Sequence, residues 1–481
     1  MLSRSFGPAV PFLVLAAALA GCGGGGGGAE SGGLPAATVR TLVYAPTECR
    51  EDETQRTWRQ ELRIERGEGA PVAVTDARET FMQQPPVFPG ACQLAGLSHT
   101  GNSAVFAGGI QRLAVSPDGS TVVFEKTNQF SVIRAPQLAP DREGFFAVSA
   151  DGSGLRPLGP PSRASVTRFA LDPSAPNHLF RANSDNTLSF SADGRTVVFT
   201  DRGPGPAGED ATQIVTLDLF TGERTQRTQL PPCAECNVGF FETGGPRFLP
   251  DGTIVFYTLT NPDGLNPGND YRIGSVKPDG SFTLTPPPVA QPGSTILPTF
   301  VITGDHPTSF DYGGPPCKEV YLLDHNDVLQ LTNFCRPDTF AGTQSLDGQR
   351  AFFVASANPF KTNPSENCQI FSIDRLGTDL QQLTKFSQGE HSSFGCDFNV
   401  GFGPPGCITF APRQDPATQA LVFESSCDPF RTNPNGGQVF AMNPDGTHLR
   451  QLTDTSGFTT EADGTVDVEL PGPSASTAVR R

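Results

Sequence analysis

The chain is poor in positive charge and in polar aromatic residues. Its 481 residues include 34 Lys and Arg against 50 Asp and Glu, which gives a formal net charge of −16. Proteins that bind nucleic acid or anionic lipid need clustered Lys and Arg, so this balance argues against both classes of partner. One Trp and five Tyr accompany 36 Phe. We therefore predict an acidic globular protein in which Phe fills an apolar core rather than forming a ligand platform.

Motifs of common catalytic and metal sites are also missing. The chain has no G-x-S-x-G elbow, no H-E-x-x-H pair and no P-loop. We therefore expect a non-enzymatic protein with no catalytic residue, no bound metal and no cofactor. The six histidines are scattered along the chain: His99, His178, His306, His325, His391 and His448.

Two of these histidines keep an enzymatic alternative open. Asp305 precedes His306 and Asp324 precedes His325, which places a carboxylate next to each of these two histidines. Loops that converge on a central channel could assemble such groups into an acid–base or metal site. The alternative function is a carbohydrate-active or hydrolytic enzyme. It requires any two of His306, His325 and His391 to lie within metal-ligand distance of each other.

The N-terminus has the pattern of an export signal. Arg4 is followed by an apolar run from Ala9 to Ala20, which is too short for a membrane-spanning helix and suits the apolar region of a signal peptide. The run ends in Leu19-Ala20-Gly21-Cys22, which resembles a bacterial lipobox. This resemblance implies cleavage before Cys22 and lipidation of its thiol. An ordinary secretory signal with a chance Cys is the alternative. No other run of 18 apolar residues follows, so we expect no transmembrane helix.

The chain divides into four predicted parts. Residues 1–22 form the predicted signal peptide, and residues 23–38 are a Gly-rich linker that cannot pack. Residues 39–470 form the folded domain, and residues 471–481 are predicted to be a disordered tail. We expect an exported lipoprotein on the periplasmic face of an outer membrane or on the cell surface.

Ten cysteines remain after Cys22, an even number that predicts disulfides in an oxidising compartment. Cys317 and Cys335 flank one predicted hairpin symmetrically, and Cys407 and Cys427 flank another, which brings each pair near disulfide distance. Cys49–Cys92 and Cys368–Cys396 remain by elimination.

One cysteine pair is separated by only two residues. Cys233-Ala-Glu-Cys236 is the only C-x-x-C in the chain. We predict a local structural disulfide there. A redox dithiol and half of a zinc site are the alternatives, although no βαβ pattern and no second cysteine pair accompany it.

Internal repeats indicate the fold. A first repeat is a strand, a turn containing Asp-Gly and a second strand, in which we predict type I′ turns. It occurs at Leu113–Lys126, Leu188–Asp201 and Pro246–Thr258, with weaker copies at Thr343–Ser356 and Ile408–Ser425. A second repeat is a similar hairpin that usually ends in Leu-Thr. It occurs at Phe146–Leu158, Ile214–Thr228, Ile273–Thr285, Val320–Thr332, Ile370–Thr384 and Val439–Thr453.

Each first repeat and the second repeat after it make four antiparallel strands. A degenerate first repeat is expected at Thr295–Gly304, which completes six units. Four-stranded units that repeat along a chain are typical of a β-propeller, so we predict an all-β, six-bladed β-propeller of four-stranded antiparallel blades.

Two segments carry a family resemblance. SPDGSTVVF, within the first repeat, and MNPDGTHLRQLT, within the second, resemble the WD-like repeats of the TolB-like six-bladed propellers. The resemblance covers about Leu113–Thr453 and implies a fold rather than a function. No separate N-terminal domain of the TolB type is evident. Residues 39–112 contain strand-like runs that could close the ring by pairing near Phe458–Leu470.

The connection between the two repeats is itself repeated. Ser356–Phe371 matches Ser426–Phe440, and Thr260–Gly274 is a looser copy. The Asn-rich segments Asn261–Asp270 and Asn358–Asn367 have oxygens that could bind Ca²⁺, although their spacing is not that of an EF-hand.

The predicted function is a non-enzymatic scaffold that binds one or more envelope proteins through its loop rims or channel mouth. The acidic composition favours a basic patch on the partner. Besides the enzymatic alternative, a surface-displayed structural or adhesive module is the third hypothesis.

Overall fold

A computed structural model describes most of the chain from residue 38 onwards. The described residues are 38–51, 56–67, 70–83, 109–127, 142–163, 188–233, 243–267, 272–284, 300–305, 318–324, 327–336, 339–345, 347–364, 366–386, 409, 412–415, 418–432, 437–460, 462–470 and 474–480. No helix within these ranges is long and apolar enough to cross a membrane.

Six small antiparallel sheets form the blades, numbered here in chain order. Blade 1 comprises β5 (Gly109–Val115), β6 (Thr121–Thr127), β7 (Gly144–Ser149) and β8 (Arg156–Gly159). Blade 2 comprises β9 (Ser189–Phe190), β10 (Thr196–Pro204), β11 (Asp210–Asp218) and β12 (Arg224–Gln226). Blade 3 comprises β13 (Thr243–Phe248), β14 (Ile254–Thr258), β15 (Arg272–Val276) and β16 (Phe282–Leu284), with a 3₁₀ turn at Pro262–Gly264.

The other three blades continue the series. Blade 4 has three described strands, β17 (Phe300–Asp305), β18 (Lys318–Asp324) and β19 (Asp327–Gln330). Blade 5 comprises β20 (Phe340–Gln344), β21 (Arg350–Ala355), β22 (Gln369–Asp374) and β23 (Gln381–Gln382). Blade 6 comprises β24 (Arg413–Gln414), β25 (Leu421–Ser425), β26 (Gln438–Met442) and β27 (Arg450–Gln451). The predicted all-β, six-bladed propeller is confirmed.

A seventh, larger sheet joins the two ends of the chain and is called the closing sheet. Its strands are β1 (Thr38–Tyr44), β2 (Thr47–Glu51), β3 (Arg56–Arg66), β4 (Val72–Gln83), β28 (Gly457–Thr460), β29 (Val466–Leu470) and β30 (Ser474–Arg480). β1 pairs with β30 over seven residues, and β2 pairs with β29 over five. The prediction of a disordered tail at 471–481 is therefore wrong for residues 474–480, because their backbone hydrogen bonds are made by β1.

The closing sheet packs between the first and last blades. Val43 on β1 belongs to an apolar cluster with Phe124 of blade 1, whereas Leu42 and Tyr44 belong to a cluster with Ala441 of blade 6. The alternation along β1 thus places one face of the strand against each neighbouring blade. N-terminal and C-terminal strands therefore close the ring in a sheet of their own, rather than by extending the last blade.

Phe side chains fill the spaces between blades, as the composition predicts. Phe145 of blade 1 lies 4.6 Å from Phe199 of blade 2, measured between ring centroids. Phe352 of blade 5 shares a fully buried cluster with Phe423 and Phe440 of blade 6. Each such burial contributes about 1.5–3 kcal/mol to stability.

The antiparallel order gives the ring two different faces. The turn face carries the turn from the first to the second strand of each blade and the turn from the third to the fourth. The loop face carries the loop from the second to the third strand and the connection to the next blade. This division follows from the alternating strand direction within each sheet.

The Asp-Gly turns of the turn face are not of the predicted type I′. In the turn after β5, the N–H of Gly119 donates to the carbonyl of Ser116, and only the glycine has a positive φ, +69°. The Asp118 carboxylate accepts the N–H of Ser120 at 3.0 Å. The loop is longer than two residues, so one left-handed glycine after a capped Asp reverses the chain. The hairpins are as predicted, but the turn type is corrected.

A buried amide fixes the end of the second repeat in three blades. In blade 5, Gln369 accepts hydrogen bonds from the Thr384 hydroxyl and the Phe386 N–H and donates to the Phe386 carbonyl. The same arrangement recurs at Gln213 in blade 2 and Gln438 in blade 6. The Thr of the Leu-Thr ending is thus a structural hydrogen-bonding residue.

Candidate functional site: the loop face

The predicted lipidation site, Cys22, lies outside the described residues. Of the predicted disulfide candidates, Cys317, Cys407 and Cys236 also lie outside them, as do Cys92 and Cys396. The cysteines that are described are all disulfide-bonded: Cys49, Cys233, Cys335, Cys368 and Cys427. The pairings themselves stay predictions.

The histidines of the enzymatic alternative are likewise outside the described part of the chain. Only His448 is described, and it is exposed in the turn between β26 and β27, on the turn face. Within the described residues no group of three or more His, Cys, Asp or Glu side chains could hold a metal ion. The distances among His306, His325 and His391, on which the enzymatic alternative depends, therefore stay untested.

A buried ion network lies between blades 1 and 2. Arg112 on β5 is 3.4 Å from Glu125 on β6, and both side chains are about 1% exposed. Burial raises the pKa of Glu125, although the positive charge of Arg112 opposes that rise. Glu125 also accepts the N–H of Ser162. Since both charged groups are enclosed, the network connects two blades rather than presenting a site to solvent.

The repeated loop between the second and third strands is the most regular feature of the loop face. In blade 5, the side-chain amide of Asn363 donates to the carbonyls of Ser356, Ala357 and Asn367. The N–H of Asn363 donates to Oδ1 of Asn358 at 2.8 Å. Four hydrogen bonds are thereby made inside one short loop, which fixes its conformation.

Blades 3 and 6 have related loops. In blade 3, the amide of Asn266 donates to the carbonyls of Leu259 and Thr260, and its N–H donates to Oδ1 of Asn261 at 2.6 Å. In blade 6, Oδ1 of Asp428 accepts the N–H of Thr432 at 2.8 Å. The three segments that the sequence pattern relates are thus built on the same kind of hydrogen bond.

These hydrogen bonds also bear on the calcium alternative. Oδ1 of Asn358 and Oδ1 of Asn261 each accept a backbone N–H, and Oδ1 of Asn266 accepts Nε of Arg272. The amide oxygens therefore already serve the loop and its neighbours. The Asn residues of this pattern are explained by loop structure, without a bound ion.

The tips of two of these loops expose an aromatic residue beside a cation. Phe360 is 45% exposed and is followed by exposed Lys361 in blade 5. Phe430 is 44% exposed and is followed by exposed Arg431 in blade 6. Lys361 and Arg431 both have φ of +59°, so the two tips share a left-handed residue at the same place. Neighbouring blades thus present the same two side-chain types on one face.

The loop of blade 3 differs at its tip. Leu265 is 59% exposed there and follows Asp263 and Gly264, so the apolar group is kept while the cation is absent. Sequence reasoning identified the repeated loop but not these tips. The signal was present as Asn-Pro-Phe-Lys and Asp-Pro-Phe-Arg, since an aromatic residue in a polar turn is unusual.

The strand pairing defines a β-propeller, and hydrogen bonds within the loops order its loop face. No protein-family model matches the chain, and no curated protein matches it in sequence. Among solved structures, it is similar to the β-propeller domain of the Trilobed protease from Pyrococcus furiosus. That similarity has 9% identity and a TM-score of 0.41, over 77% of this chain and 98% of that one.

Two further structures are similar. A protein assigned as TolB from Agrobacterium tumefaciens shares 13% identity at a TM-score of 0.32, over 93% of this chain and 98% of that one. An oligogalacturonate lyase solved with manganese shares 10% identity at a TM-score of 0.31, over 89% of this chain and 91% of that one. The assignment of this chain to the β-propeller fold rests on the strand pairing described above.

Proposed function

We propose that the protein is a non-enzymatic scaffold that binds an envelope protein through its loop face while a lipid on Cys22 holds it at the membrane. The observation that carries the proposal is the pair of rigid loop tips in blades 5 and 6. Each exposes a Phe with a cation beside it, and each is fixed by hydrogen bonds inside its own loop.

Rigid, exposed aromatic groups suit protein binding. A preformed tip loses little conformational entropy when it is buried, so more of its contact energy appears as affinity. Aromatic residues and Arg are also enriched among the residues that dominate interface energies. Lys361 and Arg431 give these tips a local positive charge in a chain whose net charge is −16. We therefore expect the partner surface at this point to combine an apolar pocket with carboxylates, rather than to be basic.

Export and anchoring rest on the N-terminal pattern and receive support from the cysteines. Disulfides persist in oxidising compartments outside the cytosol. The proposed location is the periplasmic face of an outer membrane or the cell surface. Replacing Cys22→Ser removes the nucleophile for lipidation, so the protein should move from the membrane fraction to the soluble fraction. An unchanged membrane fraction with unchanged mobility on a gel would contradict the anchor.

The binding role is tested by capture of partners from the native envelope. The double variant Phe360→Ser with Phe430→Ser should reduce capture of a specific envelope protein by about 10-fold or more, because interface anchors contribute about 2 kcal/mol or more. The matched control is Phe220→Ser, which removes an aromatic side chain that is 86% exposed on the turn face. Equal loss in the control, or full capture by the double variant, would refute the assignment to the loop face.

A further inference from the structure

An open cleft of about 580 Å³ lies at the turn face of blade 6, on the opposite side of the ring from the loop tips. Ala420, Ala441, Met442 and Leu449 provide its apolar lining. Its volume is within the range of about 300–1,000 Å³ that is usual for small-molecule sites. The cleft can therefore hold a small organic group against an apolar wall.

The polar lining of the cleft includes one permanent hydrogen-bond donor, the guanidinium of Arg450. Asn443 and His448 complete it. Arg450 is exposed on β27, and no hydrogen bond or ion pair of its side chain occurs within the described residues. Its guanidinium is therefore available to a ligand in the cleft.

A second arginine approaches from the closing sheet. Arg40 is on β1 two residues before Leu42, so its side chain lies on the face that Leu42 and Tyr44 pack against blade 6. Its Nε is buried with no hydrogen-bond partner among the described residues. Burial and the positive charge of Arg450 lower the pKa of Arg40. Arg40 does not line the cleft, but its positive charge lies close enough to act on Arg450, which does.

Carboxylates near these arginines do not neutralise them by direct pairing. The negative charges of Asp415 and Glu65 favour the charged form of Arg40. Within the described ranges, however, neither Arg40 nor Arg450 forms an ion pair with any acidic side chain. Asp445, the acid nearest to His448, accepts the N–H and hydroxyl of Thr447 in its own turn. The guanidinium groups therefore remain available to attract an anion that enters the cleft.

His448 has a left-handed backbone conformation, which is unfavourable for a residue that carries a side chain. Its φ is +55°, whereas the corresponding turn of blade 1 has Gly154 there, at φ +68°. The two turns match in their other hydrogen bonds, from Gly446 to Asn443 and from Gly152 to Ser149. A side chain in the left-handed region costs about 1 kcal/mol or more relative to glycine. The turn thus keeps a strained His where glycine is the easier choice.

The His448 ring is also held in place. Its Nδ1 lies 2.9 Å from Nδ2 of Asn443 and 3.0 Å from Oγ1 of Thr447. The turn therefore contacts one nitrogen of the ring and leaves Nε2 as the nitrogen that can contact a ligand in the cleft.

We infer that this cleft binds an organic oxyanion, a carboxylate or phosphate group carried on a small apolar body. Arg450 and His448 hold the oxyanion, the apolar lining contacts the body, and the positive charge of Arg40 beside the cleft adds to the attraction. The Arg450 guanidinium favours an oxyanion because guanidinium groups match carboxylate and phosphate geometry. The inference is independent of the proposed loop-face function, because the two sites share no residue.

The test is calorimetric titration of the full-length protein with hexanoate, hexyl phosphate and neutral hexanol. At least one of the two anions should bind about 10-fold or more tightly than hexanol, because charged hydrogen bonds contribute more than neutral contacts. Whichever anion binds more tightly identifies the class of head group. Saturable binding of neither anion, or equal binding of hexanol, would overturn the inference.

Three variants locate the site. Arg450→Ala and His448→Gly should each weaken anion binding by about 5-fold or more, while Arg156→Ala should leave it unchanged. Arg156 is the matched control, since it is an exposed arginine at the corresponding position of blade 1. His448→Gly removes backbone strain, so its melting temperature should be equal or higher, which separates loss of binding from loss of folding. Unchanged affinity in both cleft variants, or an equal loss in Arg156→Ala, would contradict the assignment.

Discussion

The two faces of the ring are held in different ways. On the turn face, the glycine of the turn between the third and fourth strands packs on the preceding blade in blades 2, 5 and 6. Gly446 of blade 6 lies over the Leu383 backbone of blade 5, and Gly222 of blade 2 lies over the carbonyl of Leu158 in blade 1. On the loop face, the hydrogen bonds of the Asn363 side chain lie within its own loop, and the preceding blade contributes a side-chain ion pair from Arg336 to Glu366 rather than backbone packing.

We infer from this difference that the turn face contributes mainly to the stability of the ring, whereas the loop face can carry a binding function. Turns that contact the preceding blade cannot change without disturbing the ring. Loops that are held internally can vary at their tips while the scaffold stays intact. Binding sites on rigid scaffolds are usually carried by such loops. The contrast predicts that equivalent substitutions on the two faces have unequal effects on stability.

The largest expected effect comes from adding a methyl group to a turn-face glycine. In Gly446→Ala, the new Cβ would lie 2.6 Å from the carbonyl oxygen of Leu383 at a φ of +81°. The backbone strain and the collision together should lower the free energy of unfolding by about 3–4 kcal/mol. Urea denaturation at pH 7 measures this change.

Gly264→Ala is the matched control on the loop face. Gly264 also has a positive φ, +73°, but its Cβ would meet nothing within 4 Å. Only the backbone cost applies, so the expected loss is about 1 kcal/mol. Equal losses at the two positions would remove the distinction between the faces.

A smaller loss is expected from breaking the internal bonds of a loop. Asn363→Ala removes three side-chain donations to the buried carbonyl groups of one loop. Leaving these carbonyls without partners should lower the free energy of unfolding by about 2–3 kcal/mol. Amide hydrogen exchange should also quicken in the loop from Ser356 to Asn367 but not in blade 1. Protection that stays unchanged in this loop would show that other contacts hold it.

The smallest expected effect is the loss of stability in acid that comes from Asp218 on the turn face. The N–H groups of Thr221 and Phe220 and the Arg195 side chain lower the pKa of Asp218 from 3.8 to about 2. Because the folded state lowers this pKa, ionised Asp218 favours folding above about pH 4 and loses that effect as the pH falls towards 2.

Asp218→Asn isolates this contribution. The stability difference between wild type and variant, measured by urea denaturation, should shrink as the pH falls from 5 to about 2. A difference that is independent of pH in this interval would show that ionisation of Asp218 does not stabilise the fold.

The repeated blades could be predicted from sequence because their contacts are local. Alternation and an Asp-Gly pair specify each hairpin within about a dozen residues. The turn type could not be read correctly, because the hydrogen bond from the N–H of Ser120 to the Asp118 carboxylate caps a turn that is longer than two residues. The strand β30 was missed because its polar sequence looks unstructured until β1, from the other end of the chain, supplies its hydrogen bonds.

The sites were less predictable than the fold. Asn358 and Asn363 were recognised as part of a repeated loop, yet their oxygens also suited Ca²⁺, and only the hydrogen bonds decided between the two. The charge around the cleft of blade 6 could not be predicted, because Arg40 comes near Arg450 only when the closing sheet packs against blade 6.

The central claim, that the loop face binds the partner, is tested most directly by amine-reactive cross-linking of the native protein in its own envelope, followed by mass spectrometry. Lys361 reports on the loop face and Lys277, exposed between β15 and β16, reports on the turn face. We expect partner peptides linked to Lys361, and their loss in the double variant Phe360→Ser with Phe430→Ser. Partner peptides linked to Lys277 and not to Lys361 would contradict the claim.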